Sequence, residues 1–152
     1  MKIIRKFFLA ICVFLIVIVL GGLHNILSND RKRENEAFIE ISGHRFSIEI
    51  ADNAVSQARG LSGRERLDMD HGMLFVFPDE SVRSFWMVGM NFPLDLIWIK
   101  NREIVGITRN LPPATAENMQ ITNSPGAVDM VLEINAGLAD RLGIQPGDLV
   151  KY

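Results

Sequence analysis

The chain has 152 residues and a single cysteine, Cys12, so its length suits one domain, and the region beyond Cys12 has no disulfide, thiol catalysis or thiolate zinc site. Six of the 16 basic residues but only one of the 18 acidic residues precede Glu34, so Glu34 to Tyr152 carry 10 basic and 17 acidic side chains. This net charge of −7 argues against binding to nucleic acid or to an anionic membrane surface.

Residues 1–29 are predicted to form a signal-anchor or transmembrane segment. Phe7–Asn29 is a run of 23 positions without Asp, Glu, Lys or Arg, and a helix needs about 20 apolar residues to cross a bilayer. Basic residues at Lys2, Arg5 and Lys6 favour a cytoplasmic amino terminus. We therefore predict a single-pass protein of the inner (cytoplasmic) membrane whose C-terminal domain lies outside the cytoplasm, in the cell envelope. The alternative is a signal peptide cleaved near Val19–Gly21, with the domain secreted to the periplasm.

A polar linker at residues 30–37 leads into a domain predicted at residues 38–152. Phe38–Ile41 and Phe46–Ile50 alternate apolar and polar side chains, which is the period of half-buried strands. The short turn between these two segments predicts a hairpin. Asn53–Gly60 then predicts a short helix that begins at an N-cap asparagine and stops at a glycine.

The rest of the domain alternates short apolar segments with turns. Four segments of strand length are Met73–Phe77, Ser84–Met87, Leu94–Ile99 and Ile104–Ile107. Residues 110–126 contain three prolines and predict a long loop, and such loops in compact domains are often functional. Val128–Ile134 predicts a further strand, Gly137–Leu142 a second short helix and Leu149–Lys151 the last strand. This pattern predicts a mostly β (α+β) domain, a small barrel-like or two-sheet structure with two short helices.

Six short motifs occur in order along the predicted domain. They are Arg59–Leu61, Gly72–Phe77, Phe85–Met87, Pro93–Asp95, Leu132–Gly137 and Gly147–Asp148. This ordered set resembles the bacterial and archaeal domain-of-unknown-function family 192 (UPF0127-type), or DUF192, whose members often carry an amino-terminal export or anchor segment. The resemblance implies a compact β-rich fold with a small barrel-like sheet, and it brings no activity. The chain departs from the family pattern at Ser62, where methionine is common, and at Val88–Met90, where Lys-Asn-Thr is usual.

Three charged residues, Arg59, Asp95 and Glu133, form the first candidate ligand site. Asp95 and Glu133 each interrupt an apolar strand, so both carboxylates are expected to be buried and to need a partner. We expect Arg59 to hydrogen-bond at least one of them, because guanidinium and carboxylate form a paired fork. The simplest interpretation is an ion-pair network that fixes the helix to the sheet. The functional alternatives are a cleft where Arg59 binds a substrate carboxylate or phosphate, and a small hydrolase or other enzyme that uses Asp95 and Glu133 near Arg59.

Trp86 and Met87 extend this candidate ligand site toward a group of soft side chains. Imidazole and thioether ligands suit Cu(I), so copper handling by Met87, Met90 and His71 is a further alternative, although methionine more commonly fills gaps in a core. No catalytic residue, metal ligand or cofactor is assigned. We interpret the chain as a membrane-tethered cell-envelope domain of unknown biochemical role, a binding or accessory module whose partner is an unknown small ligand or an envelope protein.

Overall fold

The computed structural model of the chain describes residues 37–115, 117 and 119–152. The predicted membrane segment at residues 7–29 lies outside these residues, as does the predicted linker apart from residue 37. Within the described ranges, no helix is long and apolar enough to cross a membrane. The described chain therefore corresponds to the predicted globular domain.

The described residues form nine strands and two short helices. These elements are β1 (Phe38–Ile41), β2 (His44–Ala51), α1 (Ala54–Arg59), β3 (His71–Ser81), β4 (Ser84–Trp86), β5 (Leu94–Lys100), β6 (Glu103–Leu111), β7 (Ile121–Asn123), β8 (Val128–Asn135), α2 (Leu138–Arg141) and β9 (Val150–Lys151). Seven strands form one sheet in the order β6-β5-β8-β3-β2-β1-β9, and β4 pairs with β7 in a separate two-stranded ribbon. The prediction of a mostly β domain with two short helices is confirmed for this part of the chain.

The seven-stranded sheet curls into a half-barrel. Strands β2 and β3 pair in parallel, and all other neighbours in this sheet pair antiparallel. The two edge strands meet at one end, where an isolated bridge joins Glu103 to Leu149. Beside this bridge, the Val150 N–H donates to the carbonyl oxygen of Arg102 at 2.8 Å. The predicted barrel-like sheet is thus present as a partly closed one.

Helix α1 forms where the sequence predicts it. The Asn53 side chain accepts the backbone N–H of Ser56 at 3.0 Å, and the Ser56 hydroxyl accepts the Asn53 N–H in return, which completes a capping box. Gly60 ends the helix with a φ of +50°, a conformation that glycine adopts without a Cβ clash. Gln57 then ties the helix to β3 by donating to the carbonyl oxygen of Val76 at 2.9 Å.

Both faces of the central strands are buried, which explains their nearly continuous apolar sequences. On the inner face, residues from both edge strands and from α2 join one cluster, so this cluster fills the inside of the curl. Its members include Ile39, Phe46, Ile97, Ile104, Leu132, Leu138 and Val150. On the outer face, a second cluster packs beneath the loop that follows α1; its members include Leu61, Phe75, Met87, Leu96, Trp98 and Val131. A polar side chain on either face of these strands therefore lies inside the molecule.

Two segments differ from the sequence prediction. Strand β3 continues through Pro78. The register of β3 with β8 shifts after Val76, so the pairing at this point does not need the backbone N–H that proline lacks. The predicted loop at residues 110–126 contains β7, which pairs with β4. Three residues are too few to show a strand period, so only the remote partner strand defines β7.

Candidate functional site

Asp95 lies on the inner face of β5 and is fully buried. Its Oδ1 accepts the backbone N–H of Asn110 at 2.8 Å, and its Oδ2 accepts the backbone N–H of Ala139 at 3.0 Å. Because Asn110 belongs to β6 and Ala139 to α2, this carboxylate fastens both elements to β5. The predicted burial of Asp95 is confirmed, but the partner predicted for it is wrong, since backbone amides take the place expected for Arg59.

Asp95 and Glu133 project from opposite faces of the sheet. In the pairing of β5 with β8, Asp95 lies opposite Ile134, and Leu96 lies opposite Glu133. Residues opposite each other share a face, and successive residues alternate faces, so Glu133 points outward with Leu96 while Asp95 points inward. The two carboxyl groups therefore cannot act on one substrate atom, and the hydrolase interpretation loses its acid–base pair.

A cavity of about 350 Å³ lies on the outer face, where α1 and the loop after it meet β3, β8 and the β4 ribbon. Of the five ligand-binding residues predicted from the sequence, Arg59, Trp86 and Glu133 line this cavity. Asp95 lies across the sheet, and Met87 is packed into the outer core. The structure thus brings three of the five predicted residues together, and this cavity is the candidate site.

The carboxyl group of Glu133 is the acidic group of the cavity. Glu133 is 6% exposed, and its Oε2 has no hydrogen-bond partner among the described residues. Burial raises the pKa of Glu133 to about 8, because a carboxylate loses its hydration in these surroundings. At neutral pH the side chain is therefore mainly a protonated acid, which can donate as well as accept a hydrogen bond.

Arg83 supplies a second buried polar atom without a partner, its Nε. Its Cζ lies 4.0 Å from the ring centroid of Phe77, and its Nη2 donates to Oδ1 of Asp79 at 3.0 Å. Its Nε is buried and has no acceptor in the part of the chain that the structure describes. Since a guanidinium stays protonated in proteins, this Nε–H is a permanent donor, buried on a residue that lines the cavity.

Arg59 is the last residue of α1 and lies exposed at the cavity. Within the described ranges its side chain makes no ion pair or hydrogen bond, so the predicted bond to Asp95 or Glu133 is not formed. The pKa of Glu49 is lowered mainly by its hydrogen bond from Arg64, with smaller contributions that include the charge of Arg59. Arg59 thus places a positive charge at the cavity, and part of its electrostatic effect falls on Glu49.

Aromatic rings form the apolar walls of the cavity. Phe75 and Phe77 of β3 and Phe85 of β4 all line it. The rings of Phe75 and Phe85 meet edge to face with centroids 4.9 Å apart, and Phe85 meets Trp98 in the same way at 5.6 Å. These contacts anchor the ribbon to the outer core. Trp86, the next residue, is 56% exposed and presents an indole at the edge of the cavity.

Of the three residues considered for Cu(I), only Met90 lines the cavity. Met87 is 3% exposed and belongs to the outer core, where its carbonyl oxygen accepts the Ala114 N–H at 3.0 Å. His71 Nδ1 lies 2.8 Å from Oδ1 of Asp70. Among the described residues, no group of three or more His, Cys, Asp or Glu side chains is placed to hold a metal ion. The core-packing interpretation of Met87 is confirmed.

The sequence patterns do not single out Arg83 or the three phenylalanines as site residues. The phenylalanines fall in predicted strands, where they read as ordinary core residues, and Arg83 falls in the turn before β4. The six-residue spacing from Phe77 to Arg83 matches no strand or helix period. The guanidinium stacks on the ring only because the chain turns from β3 into the ribbon.

Comparison with known proteins places the domain among uncharacterised relatives. Residues 37–152 match the DUF192 family, described as Uncharacterized ACR. A solved protein of unknown function from Novosphingobium aromaticivorans is 36% identical, with a TM-score of 0.71 over 77% of this chain and 85% of that chain. A candidate transcription regulator from Sinorhizobium meliloti is 33% identical, with a TM-score of 0.70 over 76% of this chain and 94% of that chain. No curated protein matches the chain.

Proposed function

The chain belongs to the DUF192 family, and we propose that its domain binds a small molecule in the cavity between α1 and the outer face of the sheet. The family description assigns no activity, so the proposal rests on the geometry of this chain. Ligand cavities are typically apolar with a few polar groups at fixed positions, and this cavity has phenylalanine walls with Arg59, Arg83 and Glu133 among its lining residues.

One observation carries the proposal. The two buried side-chain atoms that lack a hydrogen-bond partner among the described residues, Arg83 Nε and Glu133 Oε2, belong to residues that line the same cavity. Leaving a buried polar atom without a partner costs about 1–3 kcal/mol, so folded proteins rarely leave two in one place. Both atoms are buried beneath the wall of the cavity, so a ligand that hydrogen-bonds them as their side chains turn toward it accounts for their position.

A screen of chemically diverse small compounds tests this function. Compounds that raise the melting temperature of the full-length chain in detergent are retested on Ala58→Trp, which fills the cavity from α1, and on Val55→Trp, a matched control. Ala58 lines the cavity, whereas Val55 lies on the same helix, is 79% exposed and does not line it. We expect binding to be lost in Ala58→Trp and kept in Val55→Trp. A screen without stabilising compounds, or equal binding by both variants, contradicts the proposal.

We also propose that this binding domain works in the cell envelope, held at the inner membrane by residues 7–29. The apolar run of 23 residues and the basic tail before it support this placement. A reporter enzyme that is active only outside the cytoplasm, fused after Tyr152, should be active. Activity from a cytoplasmic reporter alone at the same position would reverse the orientation.

A further inference from the structure

We propose that the ligand of this cavity is a small carboxylic acid, bound as its anion by Arg83 and Glu133 with its apolar part among the phenylalanine rings, an inference that rests on the binding function proposed above. Three features of the cavity lead to this class of ligand. They are the donors that lack acceptors, the sign of the charge and the apolar walls, and each excludes a different group of compounds.

Both polar groups without a partner act as donors at neutral pH. Arg83 Nη2 donates a hydrogen bond to Asp79, whereas the buried Nε–H of Arg83 has no acceptor among the described residues. Glu133 presents a carboxyl O–H, because burial raises its pKa to about 8. Two donors at one cavity require acceptor oxygens on the ligand, and a carboxylate offers two such oxygens without a competing donor.

The charge of the lining residues favours an anion. Arg59 and Arg83 are both cationic, and Glu133 is the acidic residue among the side chains that line the cavity. Asp79 compensates Arg83 with an ion pair at 3.0 Å, which leaves Arg59 as a cation without an ion pair in the described part of the chain. An anionic ligand is therefore attracted, whereas an amine would add a further cation.

The apolar walls require a ligand with an apolar body. Phe75, Phe77 and Phe85 line the cavity, and ligand rings stack well against such side chains. The volume of about 350 Å³ lies near the lower end of the range for small-molecule pockets, roughly 300–1,000 Å³. An inorganic anion would leave the phenylalanine rings without contacts, so a compound of one or two rings or a short aliphatic chain fits best.

A carboxylate suits this site better than a phosphate ester. The carboxyl group of Glu133 and a carboxylate ligand can share one proton between two oxygens, because carboxyl groups have similar intrinsic pKa values. A phosphate monoester carries close to two negative charges at neutral pH. One buried Nε–H and one exposed guanidinium provide too few donors to replace the hydration of such a dianion.

The test compares probes that share a phenyl ring and differ in their polar group: phenylacetate, phenylacetamide and phenethylamine, with inorganic phosphate as a fourth. Each is titrated into the full-length chain in detergent micelles at neutral pH, and binding is followed by the NMR signals of Arg83 Nε–H and the Trp86 indole N–H. We expect phenylacetate to bind at least about tenfold more tightly than phenylacetamide, because its hydrogen bonds are charge-assisted. We expect no binding of phenethylamine or of phosphate.

Three variants and a control test which residues hold the carboxylate. Arg83→Lys keeps the positive charge but removes the Nε–H, and Glu133→Leu removes the carboxyl O–H, so each should weaken phenylacetate binding about tenfold. Glu133→Gln keeps a donor in the same place and should hold the affinity within about threefold. Arg66→Lys is the control, since the Arg66 side chain is 86% exposed and does not line the cavity. Melting temperatures show that each variant is folded.

The outcomes separate the ligand class from the binding function. Equal affinities for phenylacetate and phenylacetamide, tighter binding of phenethylamine or phosphate, or no binding by any probe would overturn the assignment to carboxylic acids. Unchanged phenylacetate affinity in both Arg83→Lys and Glu133→Leu would overturn it as well. The compound screen, and not these probes, decides the proposed binding function. That function fails if the screen finds no compound whose binding is lost in Ala58→Trp.

Discussion

The domain stabilises its two buried carboxyl groups in different ways. Asp95 accepts two backbone N–H bonds, which replace the hydration that it loses on folding. Glu133 has an oxygen without a partner among the described residues, so burial acts against its ionised form. Asp95 therefore serves the fold, whereas Glu133 lacks such partners, and we expect the two to respond differently to substitution.

Asp95→Asn should destabilise the domain more than Arg59→Ala. The asparagine amide keeps one acceptor but turns its NH2 group toward a backbone N–H, so we expect unfolding free energy to fall by about 3 kcal/mol. Arg59 is exposed and pairs with neither carboxylate, so its removal should change stability by less than about 0.5 kcal/mol. Thermal or denaturant unfolding of both variants measures this order. A larger loss in Arg59→Ala would restore the ion-pair interpretation.

Glu133 should make stability depend on pH. Its pKa is about 8 in the folded chain, against an ordinary value of 4.5. Between these values the folded state retains a proton that the unfolded chain has released, so stability is greatest below about pH 4.5 and falls as the pH rises to about 8. The loss approaches about 1.4 kcal/mol per pH unit in the middle of this window.

Glu133→Gln tests this dependence, because an amide stays neutral at every pH. Melting temperatures of the wild type and of Glu133→Gln, taken from about pH 5 to about pH 9, should diverge as the pH rises, with the variant the more stable at the alkaline end. Glu65→Gln, at an exposed position outside the cavity, is the control and should follow the wild type. Parallel curves for the wild type and Glu133→Gln would contradict the raised pKa.

At the scale of elements, α1 is the wall of the cavity that depends most on local interactions. It has six residues, and helices this short are not stable in isolation. Asn53→Ala removes the cap and should lower stability by about 1 kcal/mol, with faster amide exchange in α1. Val55→Ala, at a site 79% exposed in the same helix, should change stability by less than about 0.5 kcal/mol. Equal effects of the two substitutions would show that the cap is not important.

Strand β4 of the β4–β7 ribbon forms another wall of the cavity, and Phe85 anchors it to the outer core. Phe85→Ala removes the edge-to-face contacts with Phe75 and Trp98 and should cost about 3 kcal/mol in unfolding free energy. Trp86→Ala changes the neighbouring side chain, which is 56% exposed, and should cost less than about 1 kcal/mol. Denaturant unfolding distinguishes the two. A Trp86→Ala loss as large as that of Phe85→Ala would place the anchor at the edge of the cavity instead.

At the scale of the whole chain, residues 1–29 are predicted to act as an uncleaved anchor. The full-length protein should then stay in the membrane fraction after washing with alkaline carbonate, which releases proteins held only by charge. Deletion of residues 1–29 should release the domain into the soluble fraction, because residues 30–152 carry 13 basic and 18 acidic side chains and this net charge of −5 gives them no attraction to anionic lipid. A soluble mature chain that begins near Gly22 would establish the cleaved-signal alternative.

Local sequence patterns predicted the elements well and the site only in part. The alternation in Phe38–Ile41 and the Asn53 cap correspond to β1 and α1, because these depend on neighbours close in the chain. The predicted hydrogen bond of Arg59 to Asp95 or Glu133 is wrong, because the strand period shows that a residue is buried but not which groups contact it. The short β7 was missed for the same reason, since the residues that pair with it in β4 lie 35 to 39 positions earlier in the chain.

The sequence by itself determined that a mostly β domain of DUF192 type follows an apolar amino-terminal run, since composition, strand period and motif order are properties of the chain alone. The tertiary structure determined where each charged residue lies and which groups it contacts. The pleat of β5 and β8 sends Asp95 to the inner face and Glu133 to the outer face, and the ribbon brings Arg83 to the same cavity as Glu133. Which side chains come together depends on strand register and on contacts between residues far apart in sequence, and a local sequence pattern does not encode either.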